Sequence, residues 1–491
     1  MQKKADNLYF FAQKFGQFKK KQYLCSRFRS KREIMARSRA VVARQAHNLK
    51  VGGSIPPSAT TMRKHCLLLV IALYTLSVSA VERVSLEQLQ ADWSRYANQM
   101  VQLTTPLVVC GSFYDSLILA PERLYCPEER AVGLADGDST DYWRIAASNR
   151  ANSICVHCRN NYYKVRTGDR VRGFQARVTG ERHFVTGAGV KTTHTRVAPL
   201  QRKAKGTLRV VGANVENMFA DLGGYATRRT TPEQNALKLS KVAKGLKAMK
   251  GDLYALCEVQ VGDKAPQMLL EALNKGGKKY AYVSMPMENI DRIGGCFIYR
   301  TDRVQPYEAP LSAYADTSSH YHSRMFAQGF ECLNKKGQPT GERFIVSLNH
   351  LKSKRAGRGN YDTHLKRMSN VDSLLAMLPQ AVALYGDSDV LLLGDYNCYT
   401  QELPIQTIVR GGYPDQLMRF CPNDYSYIFK GEMGYLDRCF ASPSMETQVV
   451  HVQPWHVNAD WYYQHGAYKL KDKSLHRYAD HEPIIVDIKL Q

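Results

Sequence analysis

The second half of the sequence is punctuated by apolar runs that end in an acid, an amide or an imidazole. Asn214 lies just beyond the run 207–211, Glu258 directly follows 252–257, and Asn349 and His350 follow 343–348. Gly394-Asp-Tyr-Asn397 follows 389–393, and Asp480 and His481 stand immediately before the final run, 483–488. Carboxylates and amide oxygens are ligands for hard divalent cations, and carboxylates and imidazoles exchange protons near neutral pH. Taken singly, each is an ordinary turn residue at a strand end. Taken together they predict one polar rim, because the ends of neighbouring strands in a sheet converge.

The elements that must position these groups can be read from the same runs. The stretches 207–211, 252–257, 293–299, 343–348, 389–393 and 483–488 are strand-like. Residues 231–249 make an amphipathic helix with Ala236, Leu239, Val242, Ala243 and Leu246 on one face. Strands alternating with helices argue for an α/β domain over 206–491. Ahead of it, 102–109, 162–166 and 169–178 read as short strands, with Val171, Phe174 and Val178 alternating among basic residues. That pattern predicts a small all-β domain over 81–205, similar to an oligonucleotide-binding (OB-like) barrel, joined through the basic stretch 199–206.

The chain has 491 residues, 44% of them hydrophobic, with a net charge of +24. This composition excludes a disordered, fibrous or multi-span membrane protein. Half of the charge comes from residues 1–61, where 14 Lys and Arg face only Asp6 and Glu33. Met62-Arg-Lys-His65, the apolar run 66–76 and Ser77-Val-Ser-Ala80 then have the three parts of a secretory signal peptide cut after Ala80. A leader at that position predicts that Met62 is the true start and that 1–61 are upstream sequence; a basic nucleic-acid-binding arm or an organellar targeting segment is the alternative. The mature chain is expected to be secreted, periplasmic or extracellular, without a membrane span, and monomeric. Ten cysteines remain after Ala80. In an oxidising compartment Cys110, Cys126, Cys155 and Cys158 are expected to pair as disulfides, with a zinc site as the weaker alternative. Cys257, Cys296 and Cys398 read as small buried hydrophobes.

In order along the chain stand Asn214-Val-Glu-Asn217, Leu256-Cys-Glu-Val259, Ser323-Arg324, Asn349-His-Leu-Lys-Ser-Lys354, Gly394-Asp-Tyr-Asn397, Tyr435-Leu-Asp-Arg438 and Ala479-Asp-His-Glu-Pro483. This succession resembles the endonuclease/exonuclease/phosphatase superfamily, which includes pancreatic-type deoxyribonucleases, abasic-site endonucleases and bacterial sphingomyelinases. The likeness spans about 207–491 and is nearest in kind to a secreted bacterial nuclease. The family's Ser-Asp-His is Ala-Asp-His here, which keeps the working pair. The resemblance implies a four-layered α/β sandwich, two packed and mainly antiparallel sheets flanked by helices, and the hydrolysis of a phosphodiester with a divalent cation. That cation is Mg2+ or Mn2+, with Ca2+ as a further option.

Such hydrolysis needs an activated water, neutralisation of the phosphoryl oxygens and help for the departing alkoxide. The resemblance gives Asn214, Glu258 and Asp480 to the metal. It gives catalysis to His350, Asp395, Asn397, Asp437 and His481, with Asp395 acting on water, Asn397 on phosphate and Asp437 orienting His350. Arg324, Lys352 and Lys354 are expected to bind substrate phosphate. Lys352, Lys354, Arg355, Arg358, Lys366 and Arg367 form a basic stretch that fits a polyanionic backbone. The expected partner is therefore nucleic acid, DNA first and RNA second. Phospholipid or small-phosphoester hydrolysis on the same fold is the runner-up, and a catalytically silent nucleic-acid-binding protein is the reading from another class. His451, His456, His465 and His476 fit no ligand spacing and read as loop residues.

Overall fold

The computed structural model describes residues 81–490 apart from 114, 159–164, 196–197, 224–229, 278, 286–291, 314–323, 356–361 and 463–470. The expectations placed on 1–80 lie outside the described residues. Val81–Gln491 make one compact unit.

The N-terminal part is a ring of strands. β1 (Met100–Phe113), β2 (Ser116–Ala120), β3 (Ile154–Cys158), β4 (Arg170–Gly180) and β5 (His183–Thr186) pair in the order β1-β2-β3-β5-β4, and β4 pairs back onto β1. Closing the ring removes the exposed edges that an open sheet would present. Alternate residues such as Val101, Leu103, Val171, Phe174, Val178 and Phe184 fill its own core. Between β2 and β3 the chain leaves the ring to form two helices, α1 (Pro127–Arg130) and α2 (Thr140–Asn152). Val165 and Arg166, expected in a strand, lie in no strand, and 162–164 are outside the described residues.

From Leu208 the chain builds two large sheets, and 427–429 and 432–434 add a small third one with 124–125. The elements are β6 (Leu208–Met218), α3 (Pro232–Met249), β7 (Leu253–Gln260), α4 (Lys264–Asn274), β8 (Tyr280–Val283), β9 (Ile293–Arg300), β10 (Val304–Ala313), β11 (Met325–Leu333), β12 (Pro339–His350), α5 (Thr363–Tyr385), β13 (Val390–Asp395), α6 (Leu403–Arg410), β14 (Asp437–Ala441), β15 (Val449–Pro454) and β16 (Ile484–Ile488). One sheet runs β8-β9-β7-β6-β16-β15 and the other β10-β11-β12-β13-β14. Only β6/β7 and β12/β13 pair in parallel within these sheets; the other neighbours are antiparallel.

The apolar runs of the sequence explain the layering. Successive strand residues point to opposite faces, so Val210, Ala255, Leu391 and Leu393 meet between the sheets. Their neighbours Val211 and Leu256 pack on one helical layer with Val242, Leu246 and Leu269. Val390 and Leu392 pack with Leu374, Leu378 and Ile405 on the other. Strands buried on both faces read as unbroken apolar runs. α3 begins at Thr231, whose side chain and that of Gln234 cap each other's backbone N–H groups, with Pro232 in the first turn. Among the described residues no helix is long and apolar enough to cross a membrane.

Candidate active site

The two parallel strand pairs, one in each sheet, end on the same rim. Register places Asn214 beside Cys257, next to Glu258, in the first sheet, and His350 beside Asp395 and Asp395 beside Asp437 in the second. This close alignment needs Gly394. Its φ is +133°, and a Cβ there would lie 1.9 Å from the Asn349 carbonyl oxygen. Glu258 sits at a bulge in both of its strand pairings, with φ of +62°. Glu216, Asn217 and Asn397 also take positive φ. Left-handed backbone at non-glycine residues costs on the order of 1–3 kcal/mol each, and it concentrates where side chains must be aimed.

Asp395 is the hub. Its Oδ1 accepts from the Asn397 backbone N–H at 2.8 Å, and its Oδ2 accepts from the Asn214 amide at 3.2 Å. The same amide donates to Glu258 at 3.1 Å. Two imidazoles face the hub: His350 Nε2 is 3.8 Å and His481 Nε2 3.9 Å from Asp395 Oδ2. His350 Nε2 is also 4.0 Å from Glu258. Glu258, His350 and Asp395 thus offer three ligand atoms within 4.8 Å of one another.

The two imidazoles have opposite surroundings. Burial and the neighbouring Arg324 hold His350 well below the ordinary histidine range, and Arg324 Nη1 lies 3.4 Å from its Nδ1. Burial also works against a charged His481, but Asp437, Asp395 and Asp480 outweigh it and hold His481 well above that range. Burial pushes the Asp395 carboxyl up, to about 7, against the pull of His481. Burial and the charge of Asp480 raise Glu258.

Most residues expected from sequence come together here: Asn214, Glu258, Arg324, His350, Asp395, Asn397, Asp437, Asp480 and His481. Four details differ. Asp437 hydrogen-bonds His481 Nδ1 at 2.7 Å and orients that ring, not His350. β14 sits outside β13 and faces the turn before β16, so His350 is screened from it by Asp395. The Asn214 amide nitrogen bridges two carboxylates, and its oxygen accepts from the Glu216 N–H at 2.8 Å. Asn397 spends an amide proton on the Leu351 carbonyl at 3.0 Å, tying the end of β12 to the end of β13. Lys354 forms an ion pair with Glu402 and lies 3.9 Å from Glu128, because the buried Glu402 carboxylate needs a countercharge. Arg367 is likewise buried beside Glu402 and Lys352 O. The basic stretch is therefore split: Lys352 stays near His350, two cations brace the fold, and 356–361 lie outside the described residues.

The expected disulfides do not form; all ten described cysteines are free thiols. Cys110 contacts the Glu122 carbonyl and Cys126 the Glu128 carboxylate. Cys257, Cys296 and Cys398 are buried as expected. His456, in a loop as read, is half-buried and links Asp424 at 2.7 Å to Glu482 at 3.5 Å.

Sequence reasoning missed the support beneath the rim. Ser426 Oγ accepts from the backbone N–H groups of Leu436 and Asp437, and the Tyr427 ring lies 4.6 Å from that of His481. From the N-terminal segment, Glu129 enters the sandwich with only 3% of its surface exposed. It accepts from Thr400 Oγ1 at 2.5 Å, Thr400 N at 3.1 Å, Tyr435 N at 3.2 Å and Arg438 Nη2 at 3.4 Å. The only sequence signal for this was the arginine of Tyr435-Leu-Asp-Arg438.

A divalent cation fits this donor set. Burial first, and the charge of Asp480 second, raise Glu258, and an ion held by these oxygens would favour its ionised form.

No family model matches the sequence, and no curated protein matches it. Solved structures do. An endonuclease/exonuclease/phosphatase family protein from Bacteroides thetaiotaomicron is 16% identical, covering 59% of this chain and 98% of its own, at a TM-score of 0.42. The human Nocturnin catalytic domain with bound sulfate is 15% identical over 59% of this chain and 97% of its own, at 0.39. The Neisseria 3′ phosphatase NExo bound to a product DNA hairpin is 14% identical over 57% of this chain and 99% of its own, at 0.38.

Proposed function

We propose that this chain is a divalent-cation-dependent phosphodiesterase of the endonuclease/exonuclease/phosphatase type that cuts a nucleic-acid backbone, DNA first and RNA second. One observation carries the reading: a buried carboxylate, Asp395, stands between a neutral and a cationic imidazole, beside two further acids. Environments that drive two like groups apart in pKa assign acid and base roles.

Glu258 and Asp480 would hold the cation, Mg2+ or Mn2+, with the Asn214 amide fixing Glu258 and Asp395. When bound, that ion supplies charge neutralisation on the phosphoryl oxygens. Asp395, held at Oδ1 by the Asn397 N–H, turns Oδ2 toward the attacking water and orients it. His350, kept neutral, accepts a proton. His481, kept protonated by Asp437, donates to the phosphoryl group or its departing oxygen. Arg324 offers its fork to a phosphate oxygen pair, and Lys352 adds positive charge.

The same reading makes 81–205 an OB-like module with its own core ahead of a catalytic domain over 206–491, supported by the closed ring, with Glu129 reaching from it into the sandwich. It makes the protein secreted, on the strength of the 62–80 pattern; N-terminal sequencing of the native product tests the cut after Ala80.

Cleavage of closed-circular DNA by the purified protein tests the activity. Nicking with Mg2+ or Mn2+, abolished by chelator and lost in His350→Ala, is expected. Chelator-resistant nicking, or full activity in that variant, overturns the mechanism. An inert wild-type protein that instead splits phospholipid or small phosphoesters moves the substrate to those classes.

A further inference from the structure

Away from the rim, a second group of metal-ligating side chains stands on the strand ring. β3 and β5 run parallel, with Cys155 in register beside His183. His157 lies two residues along β3 and so returns to the face that carries Cys155. The thiol of Cys155 and a ring nitrogen from each histidine all lie within 4.8 Å of one another. Ligands around a tetrahedral zinc ion stand about 3.5 Å apart, given bonds of about 2.0–2.3 Å, so small side-chain rotations close the set.

The surroundings are those of a metal-binding histidine. His157 Nδ1 lies 2.8 Å from the Ser116 hydroxyl, and that hydroxyl donates to Asp115 at 3.1 Å. Fixing one ring nitrogen through a hydroxyl to a carboxylate leaves Nε2 as the lone-pair donor, the usual outer support of an imidazole ligand. Cys155 and His157 are half-buried and His183 is exposed, so an ion has a way in.

We propose that Cys155, His157 and His183 bind a zinc-class ion that cross-links β3 to β5, with water in the fourth position. One thiolate and two imidazoles suit Zn2+ or Co2+ and do not suit Mg2+ or Ca2+. On binding, the Cys155 S–H bond breaks, its proton passes to solvent, and the ion exchanges water for sulfur and nitrogen. The site does not depend on the phosphodiesterase reading, since it shares no residue with the rim.

The test is a Co2+ titration of the metal-stripped full-length protein, with Mg2+ in excess to fill oxygen-only sites. One equivalent of Co2+ is expected to develop a thiolate-to-cobalt absorption band that stoichiometric Zn2+ displaces. Zn2+ is also expected to raise the unfolding temperature. Cys155→Ser loses the band and weakens Zn2+ binding at least about tenfold, and His183→Gln, at an exposed position, weakens it by about 10–100-fold; Ser116→Ala gives about tenfold through the imidazole it supports. DNA nicking is unchanged in Cys155→Ser and His183→Gln. Absence of the band, its persistence in folded Cys155→Ser, or Zn2+ affinity equal in wild type and His183→Gln overturns the proposal.

Discussion

Two regions of this molecule bury a carboxylate, and they do so on opposite terms. Glu129, under the rim, receives a guanidinium and three further donors. Asp395, on the rim, is as deeply buried at 2% exposure but receives only a backbone N–H and an amide, with two imidazoles standing off at 3.8 and 3.9 Å. A buried charge whose donors come from its own fold is bracing. A buried charge left short of donors, beside other acids, is being kept for something that arrives later.

The sharpest way to break that contrast is Asp395→Asn. It should lower phosphodiester hydrolysis by about 10²–10⁴-fold, on the scale of a positioned acid or base. The unfolding midpoint should stay level or rise, because burial makes the ionised carboxyl costly. A large loss of stability would place Asp395 in the same class as Glu129.

Glu129→Ala should do the reverse. It strips Arg438 of one of its two carboxylates and orphans donors from Thr400 and Tyr435. Breaking one partner of such a buried pair costs about 3–5 kcal/mol, measurable by urea unfolding. Glu129→Gln, which keeps acceptor capacity, should lose less.

A half-buried ionic link at His456 gives a pH signature. Burial opposes a charged His456, but Asp424 and Glu482 raise it to about 10. Its contribution is complete below the unfolded histidine range near 6.5 and declines as pH climbs from there through about 10. Relative to wild type, His456→Gln should cost on the order of 2 kcal/mol at pH 6 and much less at pH 10, read as urea midpoints. A constant difference across that window would remove the charged pair from the account.

The smallest effect is expected at Lys352. If it contacts phosphate, Lys352→Ala weakens DNA binding about equally for all sequences and reduces the slope of log affinity against log salt by about 1. Lys354→Ala, whose cation is tied to Glu402, should act on stability and leave the slope alone.

Much of this was legible in the chain itself. Apolar runs such as 252–257 and 389–393 announced strands buried on both faces, and the polar residues ending them announced the rim. The apolar face of Ala236, Leu239, Val242, Ala243 and Leu246 announced the helix over 231–249. Those signals are local, and the periodicity of burial needs only neighbours a few residues away. The cysteines misled for the same reason: compartment and spacing suggested pairing, but Cys110 and Cys126 face a backbone carbonyl and a carboxylate instead.

Sequence by itself therefore determined the apolar strands that end at the rim, the helix over 231–249 and the set of groups that converge. Tertiary structure alone decided who faces whom: Asp437 serving His481, Lys354 and Arg367 turned to Glu402, and Cys155 set beside His183. It also decided that Arg438 meets Glu129 across 309 residues of chain. Periodicity tells a residue which face it occupies, whereas strand order, register and the left-handed turn at Glu258 choose its neighbour. Those choices are settled only when the separate cores pack together.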